Sequence, residues 1–397
     1  MKKIRCKLKD LMEKRGLSQY KLAKETGLSI NAISRLYKGE FDRIDCNTSE
    51  VLCNYFGCDL CELFPLEADS SEPMKEDELR KRYAAGERDF SGVNLSFASL
   101  NEENLSGAIL TGAMLNSTIL TGANLSKANL DQADLTGAYL EKVNLNAATL
   151  RGSKLSLARL DAAKLVYAEL TDADLSQTSL EDAELRWANL SGAVLRGANL
   201  NNAQMTRANL RKADLTNAEL TGAHLMWADL SEVKAISAAP EVSSANFSSA
   251  DLSGANLSSA NLSCVDLTNV NLTNANLSSS NLSLAILNGA DLTGAILNSA
   301  NMSNSILEKS YRGNNTVVVA LSGADLSGAD LSGADLSDAD LSGADLSGAD
   351  LTHTNLSGVN LRNANLQNAN WDNAKLRGTT MPDGKILSSL EEDFSEF

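Results

Sequence analysis

An apolar residue recurs at every fifth position through most of this sequence. The period holds from Phe90 to Leu230, resumes in a shifted register from Phe247 to Leu307, and runs again from Leu321 to Leu376. Together the three blocks contain 54 five-residue units. A period of five fits neither an α-helix, with 3.6 residues per turn, nor a flat strand, with a period of two. The chain must therefore bend at the same short interval throughout these blocks.

Two residues before the recurring Leu, the side chain is nearly always small, as at Ala98, Ala123 and Ala255. The other positions are polar: Asp or Asn before the Leu, then Ser or Thr, and often Gly. If the chain turns a corner every five residues, the Leu and the small residue both point inward, and only a small side chain fits beside Leu in so narrow an interior. Each buried Leu contributes about 1.5–3 kcal/mol before chain entropy is subtracted. A stack of Leu can thus form a core although only 5% of the residues are aromatic.

This Ala-(Asp/Asn)-Leu-x-x pattern resembles the pentapeptide-repeat family. The resemblance implies an all-β, right-handed quadrilateral β-helix with four pentapeptides per coil. At about 4.8 Å per coil, 54 units would form a rod roughly 65 Å long. The open ends of such a rod need caps, and Met74 to Glu87 is predicted to be a short capping helix. The segment RYAAGERDF is similar to the start of HetL-like cyanobacterial members.

The N-terminal segment 1–67 follows a helical pattern instead. Gly16, Gly27 and Gly39 are expected to end three short helices, of which the second and third begin at Ser18 and Ser29. Two short helices joined by a tight turn have the geometry of a helix-turn-helix. The segment GLSQYKLAKETGLSINAISRLYKGE resembles the Cro/C1-type (XRE) DNA-binding family, and the resemblance extends to LCNYFGCDLCELF. We therefore expect a small all-α helix-turn-helix domain at 1–67.

The resemblance implies a set of DNA-binding side chains. By position, the first of them would contact a phosphate or the first base from the start of helix two, and the others would project from helix three. Arg can bind guanine, Asn can bind adenine, and Ile can contact a thymine methyl group. Residues 1–43 carry 12 Lys and Arg against 5 Asp and Glu, which favours double-stranded DNA as their partner. The predicted DNA-binding residues are Gln19, Ser29, Ile30, Asn31, Ser34, Arg35 and Lys38.

A second candidate site follows from the expected stacking of coils. With four pentapeptides per coil, one outer ridge carries Tyr167, Trp187, Arg207 and Trp227, each two residues after its central apolar residue. An Arg between two Trp side chains at strand spacing favours cation–π stacking, and exposed aromatics beside Arg are typical of protein interfaces. We predict that this aromatic ridge (Tyr167, Trp187, Arg207 and Trp227) binds a protein. Alternatively, the interruption that follows Trp227 folds over these rings.

The breaks in the repeat predict the remaining boundaries. Residues 68–89 are expected to be a linker with the N-terminal capping helix, and 90–381 the pentapeptide-repeat β-helix. The shifts of register place interruptions at 231–246 and 308–320, and 382–397 is expected to be a C-terminal tail.

The composition argues against several classes of function. The only two His residues, His224 and His353, are far apart, so His-based catalysis and multi-His metal sites are not expected. There is also no phosphate-binding or dinucleotide-binding glycine motif, which predicts a protein that is not an enzyme and has no cofactor. No apolar run approaches the ~18 residues of a membrane span, and no secretory signal is present, so we expect a cytoplasmic chain that does not enter a membrane.

Five of the six Cys residues lie between Cys6 and Cys61, without the paired CxxC motifs of a zinc site. Reduced structural thiols are expected, with a metal or redox role for the cluster at 46–61 as the alternative.

Two functions then remain for the chain. The first is a DNA-binding transcriptional regulator whose repeat rod is a protein-interaction or scaffold module for an unidentified protein. Residues 68–397 carry a net charge of −18, so DNA should repel the rod. The second is a DNA-mimicking modulator of a topoisomerase, or a HetL-like protein-binding inhibitor in signalling. The stretch 142–212, with 10 Lys and Arg to 7 Asp and Glu, departs from a DNA mimic. A homodimer on a palindromic site is left open, as is a helix-turn-helix kept only for protein contacts.

Overall fold

The chain forms two units, Met1–Pro73 and Met74–Phe397. In this computed structural model, the described residues are 6–38, 46–58, 63–64, 73–235, 244–308, 310–312 and 315–387. Gly39, which is predicted to end the third helix, lies outside them.

The first unit is helical in its described part. Its helices are α1 (Leu8–Lys14), α2 (Gln19–Thr26), α3 (Ile30–Lys38) and α4 (Cys46–Phe56). Helix α2 packs against α3 and α4, and α1 packs against α3. The Arg15 guanidinium donates to the carbonyl of Phe56 at 2.7 Å, which satisfies a carbonyl at the end of α4. The fully buried side chains of the small core are Leu8, Met12, Leu22, Ile33, Leu52 and Leu63.

Helix α5 (Glu76–Ala84) opens the second unit and covers its first coil. Leu79 is buried in the same core cluster as the first repeats. The Met74 amide donates to the carbonyl of Asn94 at 2.7 Å, and the Tyr83 hydroxyl donates to the carbonyl of Ser106 at 2.8 Å. These bonds and the buried Leu attach the helix to the edge that the first coil would otherwise leave open.

Each coil of the second unit uses four pentapeptides. The residue before each central Leu forms a parallel bridge with the equivalent residue four pentapeptides later, as Asn94 does with Met114 and Asn129 with Thr149. The coils carry these single-residue bridges, in four columns, in place of extended strands. The central residue also pairs with the next coil; for example, the Leu195 amide donates to the carbonyl of Asp214 at 2.8 Å. Coil-to-coil bonding thus satisfies the backbone groups that surround the core.

The interior holds the recurring Leu and the small residue of each unit. Both positions are buried along the repeats, as at Leu195 and Ala198. Where Thr replaces the small Ala, its hydroxyl reaches a carbonyl of the preceding coil: the Thr118 Oγ1 donates to the carbonyl of Leu95 at 2.7 Å. A hydroxyl is tolerated in this apolar interior when it finds such a partner.

The corners explain the polar positions of the repeat. The second residue after the central one adopts a left-handed conformation, with φ of +63° at Gly197 and +58° at Asn202, and the Ala198 amide donates back to the carbonyl of Leu195. Gly and Asn tolerate this conformation better than other residues. The Asp or Asn before the Leu accepts from the amide two residues later, as Asp345 does from Ser347 at 2.9 Å.

The first interruption is shorter than the predicted 231–246. Lys234 forms bridges with the coils on both sides, and Ala235 is buried where other units have Leu, so residues 231–235 form one more unit. Because Ala235 stands where other units have Leu, the boundary drawn from the Leu period alone falls too early in the sequence. Glu219 pairs with Asn246 and not with the position four pentapeptides later, so seven residues are inserted in this coil. Residues 236–243 lie outside the described residues.

The second interruption, predicted at 308–320, contains a β-hairpin. Strands β1 (Ser310–Arg312) and β2 (Asn315–Val317) pair in antiparallel orientation. Val319 is fully buried and Ala320 forms a parallel bridge with Asp291, so these two residues already belong to the next coil.

The predicted tail at 382–397 is partly ordered against the last coil. Thr380 forms an antiparallel bridge with Ile386. Leu387 is buried, and its amide donates to the carbonyl of Thr379 at 3.0 Å. The segment 382–387 therefore folds back over part of the open end of the coils, because the exposed edge offers unpaired backbone groups. Residues 388–397 lie outside the described residues.

Two Leu residues of the same pentapeptide test the assignment of interior and exterior. Leu282 is fully buried, whereas the Leu284 residue is 56% exposed at a corner. We expect Leu282→Ala to lower the free energy of unfolding of the second unit by about 2–5 kcal/mol, because it opens a cavity. Leu284→Ala should change it by less than about 0.5 kcal/mol. Equilibrium denaturation measures both, and equal effects would contradict the assignment.

Candidate functional site

The geometry of α2 and α3 is fixed by caps at both ends of their connection. The Ser18 hydroxyl oxygen accepts from the Lys21 amide at 3.2 Å at the start of α2. Gly27 ends α2 in a left-handed conformation and its amide donates to the carbonyl of Ala23. The Ser29 hydroxyl oxygen accepts from the Ala32 amide at 3.1 Å and caps α3. Capping of this kind is typically worth about 1 kcal/mol per site and sets the tight turn between the two helices.

Helix α3 presents one face to the core and the predicted DNA-binding residues on another. Ile33 and Leu36 are buried. At helical spacing, the residues on the opposite side form a stripe with two cations near its end. In this stripe Ile30, Asn31, Arg35 and Lys38 are exposed and Ser34 is half-buried.

The two remaining predicted residues lie at helix starts. Gln19 is the first residue of α2 and is half-buried. Ser29 is exposed and precedes α3, but its oxygen already accepts from the Ala32 amide. The hydroxyl proton of Ser29 is then the part of the side chain that can donate to a phosphate or base.

A hydrogen bond between two side chains connects α2 to α4. The Tyr55 hydroxyl of α4 donates to the Glu25 carboxylate of α2. This hydrogen bond raises the pKa of the Tyr55 hydroxyl above its ordinary value. This contact fixes the C-terminal end of α2 relative to α4.

Three members of the aromatic ridge form a stack. The rings of Tyr167 and Trp187 lie 6.1 Å apart between centroids at an interplanar angle of 19°. The Arg207 guanidinium carbon lies 4.6 Å from the centroid of Trp187, within cation–π distance. The sequence correctly placed these residues in successive coils, since the Tyr167 amide donates to Arg186 and the Trp187 amide to Thr206 of the next coil.

Trp227 does not join this stack. Among the described residues its ring makes no aromatic or cation–π contact, so the predicted arrangement of Arg207 between two Trp rings is wrong in this respect. Trp227 instead lies over Gly254 of the next coil, where an added Cβ would come within 2.8 Å of the ring. Gly254 was missed from the sequence because the insertion after Ala235 lengthens the coil that separates it from Trp227.

The ridge side chains are exposed, and the backbone of these residues adopts an unfavourable left-handed conformation. Tyr167, Trp187 and Trp227 are 60%, 45% and 64% exposed. Their φ angles are +60°, +62° and +61°, and that of Arg207 is +60°. A left-handed conformation is costly for bulky residues, and other corners of the rod accept it at Phe97, Leu157 and Leu284. In the alternative prediction, the interruption after Trp227 folds over the rings. That prediction concerns residues 236–243, which lie outside the described residues.

Arg207 differs from the other Arg residues of the stretch 142–212. Five of the six have a carboxylate within salt-bridge distance, whereas among the described residues Arg207 has none and its partner is the Trp187 ring. The local excess of cations is thus partly matched by acidic groups of the same or a neighbouring coil. The paired residues are Arg151, Arg159, Arg186, Arg196 and Arg211.

Other kinds of site receive little support. In the described ranges, no group of three or more His, Cys, Asp and Glu side chains could hold a metal ion. Cys53 and Cys58 pack against the core of the first unit, and Cys264 is exposed. Cys46 has no described side chain, and Cys61 is outside the described residues. No helix in the described part of the chain is both long and apolar enough to cross a membrane.

These two units define a class of protein: a small helical DNA-binding module joined to a solenoid of stacked five-residue repeats. The sequence model of pentapeptide repeats matches eight segments, and that of the Cro/C1-type HTH DNA-binding domain matches residues 7–69. The chain belongs to the pentapeptide-repeat family, as predicted. The eight segments are 89–126, 118–156, 153–192, 193–232, 243–278, 271–308, 320–358 and 354–383.

Solved structures of pentapeptide-repeat proteins are similar to this chain in sequence. HetL of the cyanobacterium Nostoc, described as involved in heterocyst differentiation regulation, is 31% identical over 79% of this chain and 100% of its own, with a TM-score of 0.21. A protein of the Arabidopsis thaliana thylakoid lumen is 30% identical over 24% of this chain and 66% of its own, with a TM-score of 0.24.

The plasmid-mediated fluoroquinolone resistance protein QnrB1 is 21% identical over 60% of this chain and 90% of its own, with a TM-score of 0.21. No curated protein gives a significant match.

The contact between Trp227 and Gly254 can be tested with a matched pair of Gly substitutions. Gly254 and Gly343 both have a left-handed backbone, but an added Cβ meets nothing within 4 Å at Gly343. Gly343→Ala should cost roughly 1–2 kcal/mol for the backbone alone. Gly254→Ala should cost at least as much and also displace the ring, which a change in tryptophan fluorescence reports. If Gly343→Ala changed the fluorescence equally, the assigned contact would be wrong.

Proposed function

We propose that this protein is a DNA-binding transcriptional regulator whose pentapeptide-repeat rod is a protein-interaction module, and that it is not an enzyme. The exposed stripe on α3 carries the proposal. It presents an apolar side chain, an amide and two cations on the side of α3 that faces away from Ile33 and Leu36. The excess of cations in residues 1–43 would draw this face to phosphates.

Each stripe residue has a proposed role. Asn31 and Arg35 are one helical turn apart and would read base edges, since their side chains can form bidentate hydrogen bonds with adenine and guanine. Ile30 would contact a thymine methyl group at the start of the helix. Ser34 and Lys38 would contact phosphates, as would Gln19 from the start of α2.

We also infer that the rod is a right-handed quadrilateral β-helix. Four columns of bridges and one left-handed corner per pentapeptide support four sides per coil. Its outer surface offers the aromatic ridge as a site for a protein partner. Because the rod and linker carry a net charge of −18, DNA would repel them and leave that surface for a protein. A cytoplasmic location fits both partners.

Selection of genomic fragments by the full chain tests the DNA-binding role. We expect a shared sequence motif. Arg35→Ala should weaken binding to it by about 1–3 kcal/mol and relax specificity at one base pair. Lys38→Ala should weaken binding to all sequences and reduce the salt dependence by about one ion.

Lys81→Ala, an exposed cation on α5, is the control and should leave binding unchanged. Fragments without a common motif, or an Arg35→Ala variant that selects the same sites with the same affinity, would contradict the proposal.

A second candidate function, DNA mimicry toward a topoisomerase, is favoured by the acidic columns of the third repeat block. Asp325 lies one coil from Asp345, and Asp330 one coil from Asp350. The Ser347 amide holds the pKa of the Asp345 carboxyl below its ordinary value, so this carboxyl keeps its charge to more acidic pH than an ordinary Asp. Stacked carboxylates at strand spacing present regularly placed negative charge, as the phosphates of DNA do.

A supercoiling assay with gyrase separates the two functions. A DNA mimic would inhibit supercoiling, and replacing all four Asp residues by Asn would weaken the inhibition at least severalfold because it removes the charge but keeps the acceptor for the corner amide. Arg35→Ala, the control, would leave it intact. A full chain without effect on gyrase would exclude this candidate.

A further inference from the structure

The side chain of Arg207 offers hydrogen-bond donors that no described residue uses. Its guanidinium carbon lies 4.6 Å from the centroid of the Trp187 ring. The guanidinium donates no hydrogen bond to a described residue and forms no ion pair with one. This group has only donors, which lie in one plane, and a carboxylate can accept from two of them at once. Because Arg207 is exposed, these donors are open to a ligand.

The acidic side chains beside the ridge already have other partners. The bridge positions on either side of Arg207 in its own coil hold Gln204 and Asn209, which are uncharged. In the neighbouring coils, Glu184 bridges to Gln204 and Asp229 bridges to Asn209. The first forms an ion pair with an Arg two residues later, and the second accepts from a backbone amide and from an Asn side chain. A carboxylate for Arg207 must therefore come from a ligand.

The Trp227 ring adds an apolar surface next to these donors. It lies over Gly254 of the following coil, and its indole N–H donates to no described residue. Arg207, in contrast, leans toward Trp187 of the preceding coil. The two side chains lean in opposite directions along the rod, so the distance between them exceeds the coil spacing of about 4.8 Å.

An extended peptide that follows the ridge matches this distance. Alternate side chains of an extended chain point to the same side and lie about 6.6–6.8 Å apart. A carboxylate at one position then reaches Arg207 when an aromatic side chain two positions further along packs on Trp227. If the two residues were adjacent in the peptide, their side chains would point to opposite sides.

We propose that Arg207 and Trp227 bind an acidic segment of a partner protein, in which a carboxylate side chain and an aromatic side chain are separated by one residue. The carboxylate pairs with the Arg207 guanidinium, and the aromatic side chain packs on the Trp227 ring. This inference rests on the proposed role of the rod in protein interaction and names the chemistry of the partner.

Local charge favours a short acidic segment over a long polyanion. The coil that carries Arg207, residues 189–208, contains two Arg and no Asp or Glu. The preceding coil, residues 169–188, contains six Asp and Glu against one Arg. Since charges act over only about 8 Å at physiological salt, a segment of a few residues is attracted to the first coil although the rod as a whole is acidic. A nucleic acid carries charge along its whole length and would also meet the acidic coil.

Binding of a defined peptide to the full chain tests the proposal. The probe is the dye-labelled hexapeptide Ser-Glu-Ser-Phe-Ser-Glu, and fluorescence anisotropy at physiological salt should show saturable binding. The peptide Ser-Ser-Glu-Phe-Glu-Ser has the same composition but adjacent Glu and Phe, and it should bind several times more weakly. Replacing both Glu by Gln in the first peptide should weaken binding about tenfold, because the ion pair with Arg207 is lost.

Substitutions at the corners test the two assigned residues. Arg207→Gln should weaken binding of the acidic peptide about tenfold and leave binding of the Gln peptide unchanged. The rod tolerates this residue, since Gln132 and Gln177 occupy left-handed corners. Lys127→Gln is the matched control, because it removes a cation from the same corner position two coils before Tyr167. It should leave binding of both peptides unchanged.

Trp227→Ser removes the apolar surface but keeps the charge of Arg207. Ser is also found at left-handed corners of the rod, as at Ser117 and Ser259. This variant should weaken binding of the acidic peptide and of the Gln peptide by similar factors, because both peptides contain the Phe that packs on the ring.

Several results would overturn the proposal: no saturable binding up to about 1 mM peptide, equal affinity for the two spacings of Glu and Phe, or equal loss of binding in Lys127→Gln. A single-stranded oligothymidylate that binds more tightly than the peptide, and loses its affinity in Arg207→Gln, would also overturn it, because the ridge would then be a nucleic-acid site.

Failure of this proposal is distinguishable from failure of the proposed function. If the Gln peptide bound more tightly than the acidic one and Trp227→Ser abolished its binding, the acidic chemistry would be wrong while the rod remained a protein-interaction module. DNA binding by α3 enters none of these measurements, and the selection experiment with Arg35→Ala tests it separately.

Discussion

The narrow interior of the coil is the constraint on which the second unit depends. Only a Leu and a small residue fit per pentapeptide, and both are buried along the repeats. Because the interior is filled by so short a pattern, the chain must turn at every fifth residue, and the left-handed corner follows from that turn. Coil-to-coil hydrogen bonds then satisfy the backbone that the turns expose. Two of the five positions of each repeat thus fill the core, and the left-handed corner sets the path of the backbone.

The period of the sequence was sufficient to predict the repeat and its stacking, but not its ends. Four units per coil followed from the family resemblance, and the bridges between residues four pentapeptides apart agree with it. The unit ending at Ala235 was missed because Ala fills the Leu position, which the neighbouring coils tolerate. The fold-back of 382–387 was also missed. It depends on the unpaired edge of the last coil.

The candidate sites were predictable to different extents. Helix α3 carries its own periodicity, so the separation of Ile33 and Leu36 from the exposed Asn31 and Arg35 follows from helical spacing. The stack of Tyr167, Trp187 and Arg207 followed from coil spacing. The position of Trp227 did not, because an insertion after it moves its neighbour to Gly254. That Arg207 has no salt bridge with a described residue is visible only in three dimensions, where each other Arg of the stretch meets an acid from its own or a nearby coil.

A rod whose core needs only Leu and Ala leaves its outer positions free of structural demand. Gly, Asn and Asp adopt the left-handed conformation of the corners at the lowest cost in energy, and most corners of the rod carry such small or polar residues. A Tyr, two Trp and an Arg at the same corner of four successive coils raise the backbone energy without adding to the core. Their stacking recovers part of this cost, yet the rings stay about half exposed or more. Phe97, Leu157 and Leu284 are likewise exposed at left-handed corners, so what distinguishes the ridge is the stack of Tyr167, Trp187 and Arg207.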